Sequence, residues 1–273
     1  MLHFDVDMTV DYQAMGCAQP NTLPKLTTYI LDEAYLERSG WDTRPAVVIC
    51  PGGGYGFVSP SEAEPIAMQY CAAGYHAFIL TYSVEPTGWP AACCELSKAV
   101  AYVRSIAEEH HIQKDKSVVC GFSAGGHLAA SLGVHYDKEI VKKFSGVTGT
   151  ENKPDGMILC YPVITDEEAK THMGTLTNFI AGREEARPYF GLEHHVTADT
   201  PKTFLWHTFE DNSVPAESSM RFASALLAHG VQYEMHIFPE GPHGLSLATR
   251  NTGGVVPAVQ PWIDLSVTWL QNL

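Results

Sequence analysis

The sequence predicts an α/β fold in which helices cover both faces of a mostly parallel central sheet. Short apolar runs of strand length alternate along the chain with segments whose apolar residues recur at helical spacing. Most of these runs are continuously apolar, as expected for strands that are buried on both faces. A hydrophobic fraction of 45% is ordinary for a globular protein. We therefore expect residues 1–273 to form a single domain.

Six apolar runs are predicted to form the central strands. β-branched and aromatic residues are frequent in them, as is typical of strands. In chain order they are residues 46–50, 77–82, 117–120, 156–161, 203–206 and 233–238. Nearer the N-terminus, residues 8–12 and 26–31 are predicted to add an antiparallel edge to the sheet.

Segments between these runs are predicted to form the covering helices. The clearest helical repeat has apolar residues at intervals of three and four, namely Leu96, Ala99, Val100, Val103, Ile106 and Ala107. Further helices are predicted at residues 66–73, 128–132, 222–228 and 262–270.

Residues 164–200 interrupt the alternation of strands and helices. The segment is polar and contains only short helical patterns, and it follows a predicted strand that ends at Tyr161. It therefore lies beside the carboxyl ends of the strands, where sheets of this kind bind ligands. Apolar anchors argue against disorder: Met173, Leu176, Phe179, Tyr189 and Phe190. We interpret the segment as a small lid or substrate-binding insertion.

Charge and hydropathy exclude several classes of partner. The chain has 17 Lys and Arg against 31 Asp and Glu, a formal net charge of −14. Nucleic acids and anionic membranes would be repelled, so neither is expected as a partner. No window contains about 18 consecutive apolar residues, so no spanning helix is predicted. The segment MLHFDVDMTVDY lacks the basic and apolar regions of a signal peptide, and the expected location is the cytosol.

The seven cysteines favour a reducing compartment. Their number is odd and no C-x-x-C pair occurs. Cys50, Cys120 and Cys160 lie in predicted strands and are expected to be buried free thiols. The adjacent Cys93 and Cys94 fall on a predicted helix, where a packing role is favoured over a redox switch.

The pentapeptide from Gly121 to Gly125 has the pattern G-x-S-x-G between a predicted strand and a predicted helix. Glycines are required there because the serine occupies a sharp turn with a crowded backbone. That turn holds the Ser123 hydroxyl above the sheet edge, at the N-terminus of a helix. Ser123 is therefore the predicted nucleophile.

A run of three glycines, Gly52 to Gly54, follows the strand at residues 46–50. The tetrahedral oxyanion of ester hydrolysis needs backbone N–H donors that approach without side chains in the way. We assign this role to the amides of Gly53 and Gly54, together with the amide of Ala124. A phosphate-binding loop is disfavoured because no G-K-[ST] follows.

The serine needs a base, and the base needs a carboxylate that fixes its tautomer. Asp211 and His243 each follow a predicted strand, which gives the chain order Ser, Asp, His. Glu210 is the competing carboxylate, and Asp211 is preferred because it lies in D-x-x-V-P, where the chain turns towards the next helix.

Other histidines are predicted to have supporting roles. His127 is expected to hold its helix to neighbouring loops, and His207 is expected to support the Asp211 loop. No H-E-x-x-H or similar ligand spacing occurs, so no metal and no other cofactor is predicted.

At these residues the sequence resembles the α/β-hydrolases, and within them the acetylxylan esterase-like group of lipases and sugar esterases. The similarity extends from Pro51 to Ala248. The resemblance implies an eight-stranded sheet with a small or absent cap, a Ser123–Asp211–His243 triad and hydrolysis of short acyl esters through an acyl-enzyme. It also implies acetylated carbohydrates as common substrates. The matching stretches include PGGGYGFVSPSEAEPIA, CGFSAGGHLAASLG, HVTADTPKTFLWHTFEDNSVP and FPEGPHGLSLA.

The sequence leaves the substrate open. Tyr55, Tyr82 and Trp89 lie near predicted strand ends and are candidates to line the pocket, since a sugar ring stacks well on aromatic faces; core packing is the alternative. A small ester, such as an acetylated sugar, is the expected substrate. An amide hydrolase of the formamidase type and a non-catalytic binding protein on the same fold are the other interpretations. A homodimer is compatible with such folds, and no sequence feature decides it.

Overall fold

The computed structural model of the protein describes residues 1–36 and 42–273. Over these residues the chain forms an eight-stranded sheet with the strand order β1-β2-β4-β3-β5-β6-β7-β8. Strand β2 is antiparallel to both of its neighbours, β1 and β4. Strands β3 to β8 all run parallel to one another. The strands are β1 (Asp5–Asp7), β2 (Lys25–Tyr29), β3 (Arg44–Cys50), β4 (His76–Thr81), β5 (Ile112–Phe122), β6 (Gly156–Cys160), β7 (Lys202–Thr208) and β8 (Tyr233–Phe238).

The predicted fold class is confirmed, and one predicted edge strand is wrong. All six central runs are strands, and the run at residues 26–31 corresponds to β2. Residues 8–12 form no strand, because the N-terminal edge strand β1 lies just before them at Asp5–Asp7. The apolar residues of this stretch anchor a loop instead. Met8 is buried in the main core, and the Tyr12 hydroxyl donates a hydrogen bond to Glu95 (2.9 Å).

Helices flank the sheet on both faces. Helices α1 and α7 pack with one buried apolar cluster, and α2, α3 and α6 pack with the other. The short α4 has no counterpart among the predicted helices. The helices of the described residues are α1 (Glu64–Ala72), α2 (Ala91–Ser105), α3 (Ala124–His135), α4 (Glu139–Ser145), α5 (Met173–Ile180), α6 (Glu217–Ala228) and α7 (Trp262–Gln271). None of them is long and apolar enough to cross a membrane.

The two clusters explain why the central strands are apolar at every position. In β3, Val48 belongs to the cluster that contains α2 and α3, whereas Val47 and Ile49 belong to the cluster that contains α1 and α7. Successive side chains of a strand point to opposite faces, so both faces need apolar residues. Cys93 and Cys94 are buried on α2, consistent with packing roles.

Residues 164–200, interpreted above as an insertion and called the insertion below, contain α5 and two short 3-10 helices, Glu184–Tyr189 and Leu192–His195. Leu176, Phe179 and Phe190 are buried in the main core and anchor it. The Asn178 side chain donates a hydrogen bond to the carbonyl of Gly54 (2.9 Å). The insertion therefore contacts the glycine loop that follows β3, at the carboxyl ends of the parallel strands.

Candidate active site

Ser123 occupies the turn between β5 and α3. Its φ is +53°, a region that residues with side chains rarely adopt. The turn depends on its flanking glycines, since a side chain at Gly121 would overlap the carbonyl of Gly125, and one at Gly125 would overlap the carbonyl of Cys50. The turn therefore places the Ser123 hydroxyl at the N-terminus of α3, where the helix dipole favours negative charge.

The structure brings Ser123, His243 and Asp211 into one hydrogen-bonded chain. His243 Nε2 lies 2.7 Å from the Ser123 Oγ, and His243 Nδ1 lies 2.6 Å from the Asp211 Oδ2. The second carboxylate oxygen of Asp211 accepts hydrogen bonds from the amides of Ser213 (3.0 Å) and Val214 (2.9 Å). A serine, an imidazole and a carboxylate in this order can act as nucleophile, base and orienting acid.

Asp211 is kept ionised by its partners. Burial by itself raises the pKa of this carboxyl, but hydrogen bonds from His207 and His243 and from the Val214 amide outweigh that effect. The pKa of Asp211 is therefore held well below its ordinary value. The competing Glu210 is exposed and accepts a hydrogen bond from the Gly241 amide (3.0 Å) instead of contacting the histidine.

His207 supports the Asp211 loop, as the sequence predicts. Its Nδ1 accepts a hydrogen bond from the Ser219 hydroxyl (2.8 Å), and its Nε2 donates to the Val214 carbonyl (2.8 Å). The same Nε2 lies 3.3 Å from the Asp211 Oδ2. The histidine thus joins β7, the Asp211 loop and α6.

His127 connects α3 to two neighbouring loops. Its Nδ1 accepts a hydrogen bond from the Tyr55 hydroxyl (2.9 Å), and its Nε2 donates to the Phe190 carbonyl (3.0 Å). Burial lowers its pKa to about 3, so the imidazole is neutral. The helix that begins at Ser123 is therefore tied to both the glycine loop and the insertion.

The glycine loop beside Ser123 has a backbone that only glycine adopts readily. Gly53 and Gly54 have φ values of +128° and +62°, and a side chain at Gly53 would overlap the carbonyl of Phe57. Within the described part of the chain, the amides of Gly53, Gly54 and Ala124 donate to no protein acceptor. Gly53 and Gly54 line the same cleft as Ser123, and Ala124 follows Ser123 directly in the chain.

An open cleft of about 290 Å³ contains the Ser123 and His243 side chains. Its other side chains are mostly polar, and Phe57 is the one large apolar exception among its described lining residues. The lining comprises Gly53, Gly54, Phe57, Ser59, Glu62, Ser123, His172, Ser213, His243 and Gly244.

The three aromatic residues proposed from sequence to line the pocket lie elsewhere. Tyr55 and Tyr82 are buried beneath the glycine loop, where the Tyr82 hydroxyl donates to the Pro51 carbonyl (2.6 Å). Trp89 is buried and stacks on Tyr189, with ring centroids 5.0 Å apart. None of the three lines the cleft of Ser123, because their rings fill the core between the sheet, α3 and the insertion.

Two polar residues of the cleft, Glu62 and His172, were not singled out from the sequence. Glu62 is buried, and its Oε2 accepts a hydrogen bond from the Gly52 amide (2.7 Å) while its Oε1 accepts one from the Tyr161 hydroxyl (2.6 Å). Burial raises the pKa of Glu62. No sequence signal separates this residue from the neighbouring Glu64, and His172 stands alone in a polar segment without a motif.

The chain is similar to a known protein family and to curated proteins. The model of a family described as BD-FAE matches residues 33–226. The chain is 36% identical over 213 residues to endo-1,4-beta-xylanase B of Butyrivibrio fibrisolvens, covering 75% of this chain and 33% of that protein. It is 25% identical over 211 residues to the acetylxylan esterase of Xylanibacter ruminicola, covering 75% of this chain and 42% of that protein. It thus spans less than half the length of either relative.

The fold also matches a solved structure over nearly its whole length. The crystal structure of an acetyl ester-xyloside bifunctional hydrolase from Caldicellulosiruptor lactoaceticus superposes with a TM-score of 0.82 and 31% sequence identity. The match covers 98% of this chain and 96% of that one.

Proposed function

Because this chain belongs to the BD-FAE family and has the α/β-hydrolase fold, we propose that it is a serine carboxylesterase that removes short acyl groups, acetyl above all, from carbohydrates. The observation that carries the proposal is the hydrogen-bonded chain from Ser123 through His243 to Asp211 in an open cleft. The names of the acetylxylan esterase and the acetyl ester-xyloside hydrolase support the same chemistry.

The first half of the reaction acylates the serine. His243 Nε2 takes the proton of the Ser123 hydroxyl as the oxygen bonds to the ester carbonyl carbon, and the carbonyl oxygen becomes an oxyanion. When this intermediate collapses, the bond to the alcohol oxygen breaks and His243 gives its proton to the leaving alcohol. Asp211 stabilises the imidazolium and keeps Nδ1 protonated throughout.

The second half releases the acid. Water gives a proton to His243 Nε2 and attacks the acyl carbon, and the second tetrahedral intermediate expels Ser123 Oγ, which takes the proton back. In both halves, the amides of Gly53, Gly54 and Ala124 are the donors assigned to the oxyanion. Donors of this kind act without reorganisation, because the backbone that holds them is already ordered.

The size and polarity of the cleft support a short acyl group on a polar alcohol. A cleft of about 290 Å³ is at the lower end of ligand-pocket volumes. Ser59, Glu62, His172 and Ser213 surround it with hydrogen-bonding groups. A long acyl chain would find only Phe57 as a large apolar partner there.

We assign the insertion at residues 164–200 the role of a substrate-binding cap on the single domain. Three contacts support this assignment. His172 lines the cleft, Asn178 is hydrogen bonded to Gly54, and the Phe190 carbonyl accepts a hydrogen bond from His127.

The test is hydrolysis of 4-nitrophenyl esters from acetate to decanoate, with a Ser123→Ala variant alongside. Rates are expected to fall steeply beyond propionate, and the variant is expected to lose activity by a factor on the order of 10⁶. A fluorophosphonate probe should label the wild type and not the variant. A preference for octanoate or longer chains would contradict the short-acyl assignment. A folded protein that neither hydrolyses esters nor takes up the probe would exclude a serine esterase.

A further inference from the structure

His172 stands at the cleft, and its position follows from the helix that it begins. It immediately precedes α5, and its Nδ1 lies 3.2 Å from the amide nitrogen and 2.8 Å from the hydroxyl oxygen of Thr175. A backbone amide only donates, so Nδ1 accepts at this contact. The single ring proton of the neutral imidazole is therefore on Nε2.

The Nε2–H group is free for a ligand. Nε2 has no hydrogen-bond partner among the described residues, and it is not a buried atom. The ring lies beside the glycine loop, with Cε1 3.7 Å from the position that a Cβ on Gly54 would occupy. Partial burial and the nearby His243 lower the pKa of His172, with Asp211 opposing them, so the ring is neutral around pH 7.

The two halves of the ester substrate are expected to face different hydrogen-bond donors in the cleft. The acyl oxygen is assigned to the backbone amides of Gly53, Gly54 and Ala124, and the leaving oxygen must lie near His243 Nε2, which returns a proton to it. His172 lines the same cleft as Ser123 and His243. A neutral donor at this place can bond an oxygen atom of the alcohol without placing a second positive charge beside the catalytic imidazole.

We propose that His172 is a specificity-determining residue whose Nε2–H donates a hydrogen bond to a hydroxyl or ring oxygen of the sugar that carries the acyl group. The inference rests on the proposed function, because it concerns the alcohol half of the same substrate. It predicts that, among esters with the same acyl group, the enzyme prefers those whose alcohol part carries further oxygen atoms. An ester whose alcohol has no further oxygen atom cannot accept the hydrogen bond from His172.

His172→Asn separates the two roles of the side chain. Asparagine is a preferred N-cap residue, and its carbonyl oxygen can accept from the Thr175 amide as Nδ1 does. It keeps the start of α5 and removes the Nε2–H donor, because the NH2 group of asparagine is on a shorter side chain and ends short of the position of Nε2. His194→Asn is the matched control, because His194 lies in the same insertion but is exposed and does not line the cleft.

The experiment compares two acetate esters that differ only in the alcohol, a monoacetylated methyl xyloside and phenyl acetate. For His172→Asn, kcat/KM for the xyloside is expected to fall about tenfold, mainly through KM, as one hydrogen bond to substrate is lost. Phenyl acetate should be hydrolysed within twofold of the wild-type rate. His194→Asn should behave as wild type on both esters.

Each other outcome has its own meaning. An equal loss on both esters would place His172 at the acyl group and overturn the inference while leaving the esterase intact. No loss on either ester would show that the donor is unused, which also overturns it. A wild-type enzyme that hydrolyses phenyl acetate but not the xyloside would remove the carbohydrate substrate and this inference together. Failure on both esters would overturn the esterase itself.

Discussion

At the scale of single residues, the neighbouring carboxylates of Asp211 and Glu210 lie in different environments, and only the environment of Asp211 suits a partner of His243. Asp211 is buried and accepts hydrogen bonds from His243 and two backbone amides, whereas Glu210 is exposed and its carboxylate accepts a hydrogen bond from the Gly241 amide. Burial would favour the protonated form of Asp211, but its donors prevail and the pKa is lowered. The ionised carboxylate of Asp211 can therefore accept a hydrogen bond from His243 Nδ1 and keep the ring proton on that nitrogen.

Asp211→Asn is expected to reduce kcat by about 10⁴-fold with the fold retained. The amide cannot stabilise the imidazolium and favours the wrong tautomer of His243. Steady-state kinetics on 4-nitrophenyl acetate measures this. Glu210→Gln is the matched control and should lose less than tenfold. An equally large loss in Glu210→Gln would contradict the assignment of Asp211.

Asp211 also contributes to stability in an acidic pH range. Its folded pKa lies below the ordinary value of about 3.9. The contribution is therefore fully present above that value and is lost as the pH falls through the lower folded pKa. As the pH falls from 5 to 2.5, the melting temperature of the wild type should fall more than that of Asp211→Asn, because the variant has no carboxylate to protonate at this position. Parallel curves for the two proteins would contradict the ionised state of Asp211.

At the scale of elements, one buried carboxylate joins loops that follow different strands. Glu62 accepts from the Gly52 amide after β3 and from the Tyr161 hydroxyl after β6. The Tyr161 hydroxyl in turn accepts from the Ser246 amide (2.9 Å), three residues after His243. The glycine loop and the histidine loop are therefore held at a set distance through two side chains.

Glu62→Gln is expected to lower kcat about tenfold on 4-nitrophenyl acetate, with KM changed little. Glutamine has one carboxamide oxygen where Glu62 has two acceptor oxygens, so either the Gly52 amide or the Tyr161 hydroxyl faces an NH2 group instead of the oxygen to which it donates. Tyr161→Phe leaves the Gly52 bond intact but removes the partner of both Glu62 Oε1 and the Ser246 amide, so it should lower kcat at least as much. The neighbouring Glu64→Gln serves as the control. A change in KM alone for Glu62→Gln would show that Glu62 contacts substrate rather than positioning the loop.

At the scale of the whole molecule, three buried histidines are expected to make the free energy of unfolding depend on pH. Burial lowers the pKa of His76 to about 4 and those of His127 and His135 to about 3. In the unfolded chain these groups take up protons near pH 6.5. Burial of two carboxyls acts in the opposite direction. It raises the pKa of Glu95 to about 7 and also raises the pKa of Glu62, so these groups hold their protons to a higher pH in the folded state than in the unfolded chain.

Three histidines oppose two carboxyls, so the unfolded state is expected to bind more protons than the folded state between pH 7 and pH 5. The free energy of unfolding is expected to fall on acidification through this range by on the order of 1 kcal/mol per pH unit. Chemical denaturation at a series of pH values measures the slope. Glu95→Gln removes the contribution of one of the two carboxyls and should steepen the fall. A stability that is constant or rises from pH 7 to pH 5 would contradict the neutral buried histidines.

The fold and the meeting of Ser123, His243 and Asp211 could be predicted from the sequence because both follow from local patterns. Continuous apolar runs indicate strands that are buried on both faces, and G-x-S-x-G between a strand and a helix indicates the sharp turn at Ser123. Asp211 and His243 follow strands, and parallel strands bring their carboxyl ends to one edge. The edge strand at Asp5–Asp7 escaped prediction because three residues with two charges have no apolar period.

The tertiary structure alone decided which side chains face the cleft. Tyr55, Tyr82 and Trp89 look like sugar-binding residues in the sequence, yet the packing of α3 and the insertion turns them into the core. Glu62 and His172 have no motif, and loops from distant parts of the chain place them beside Ser123. The physical reason is the range of the interactions. Strands, turns and helices are determined largely by residues that are close in sequence. The side chains that line the cleft are determined by contacts between elements far apart in sequence, which no local pattern predicts.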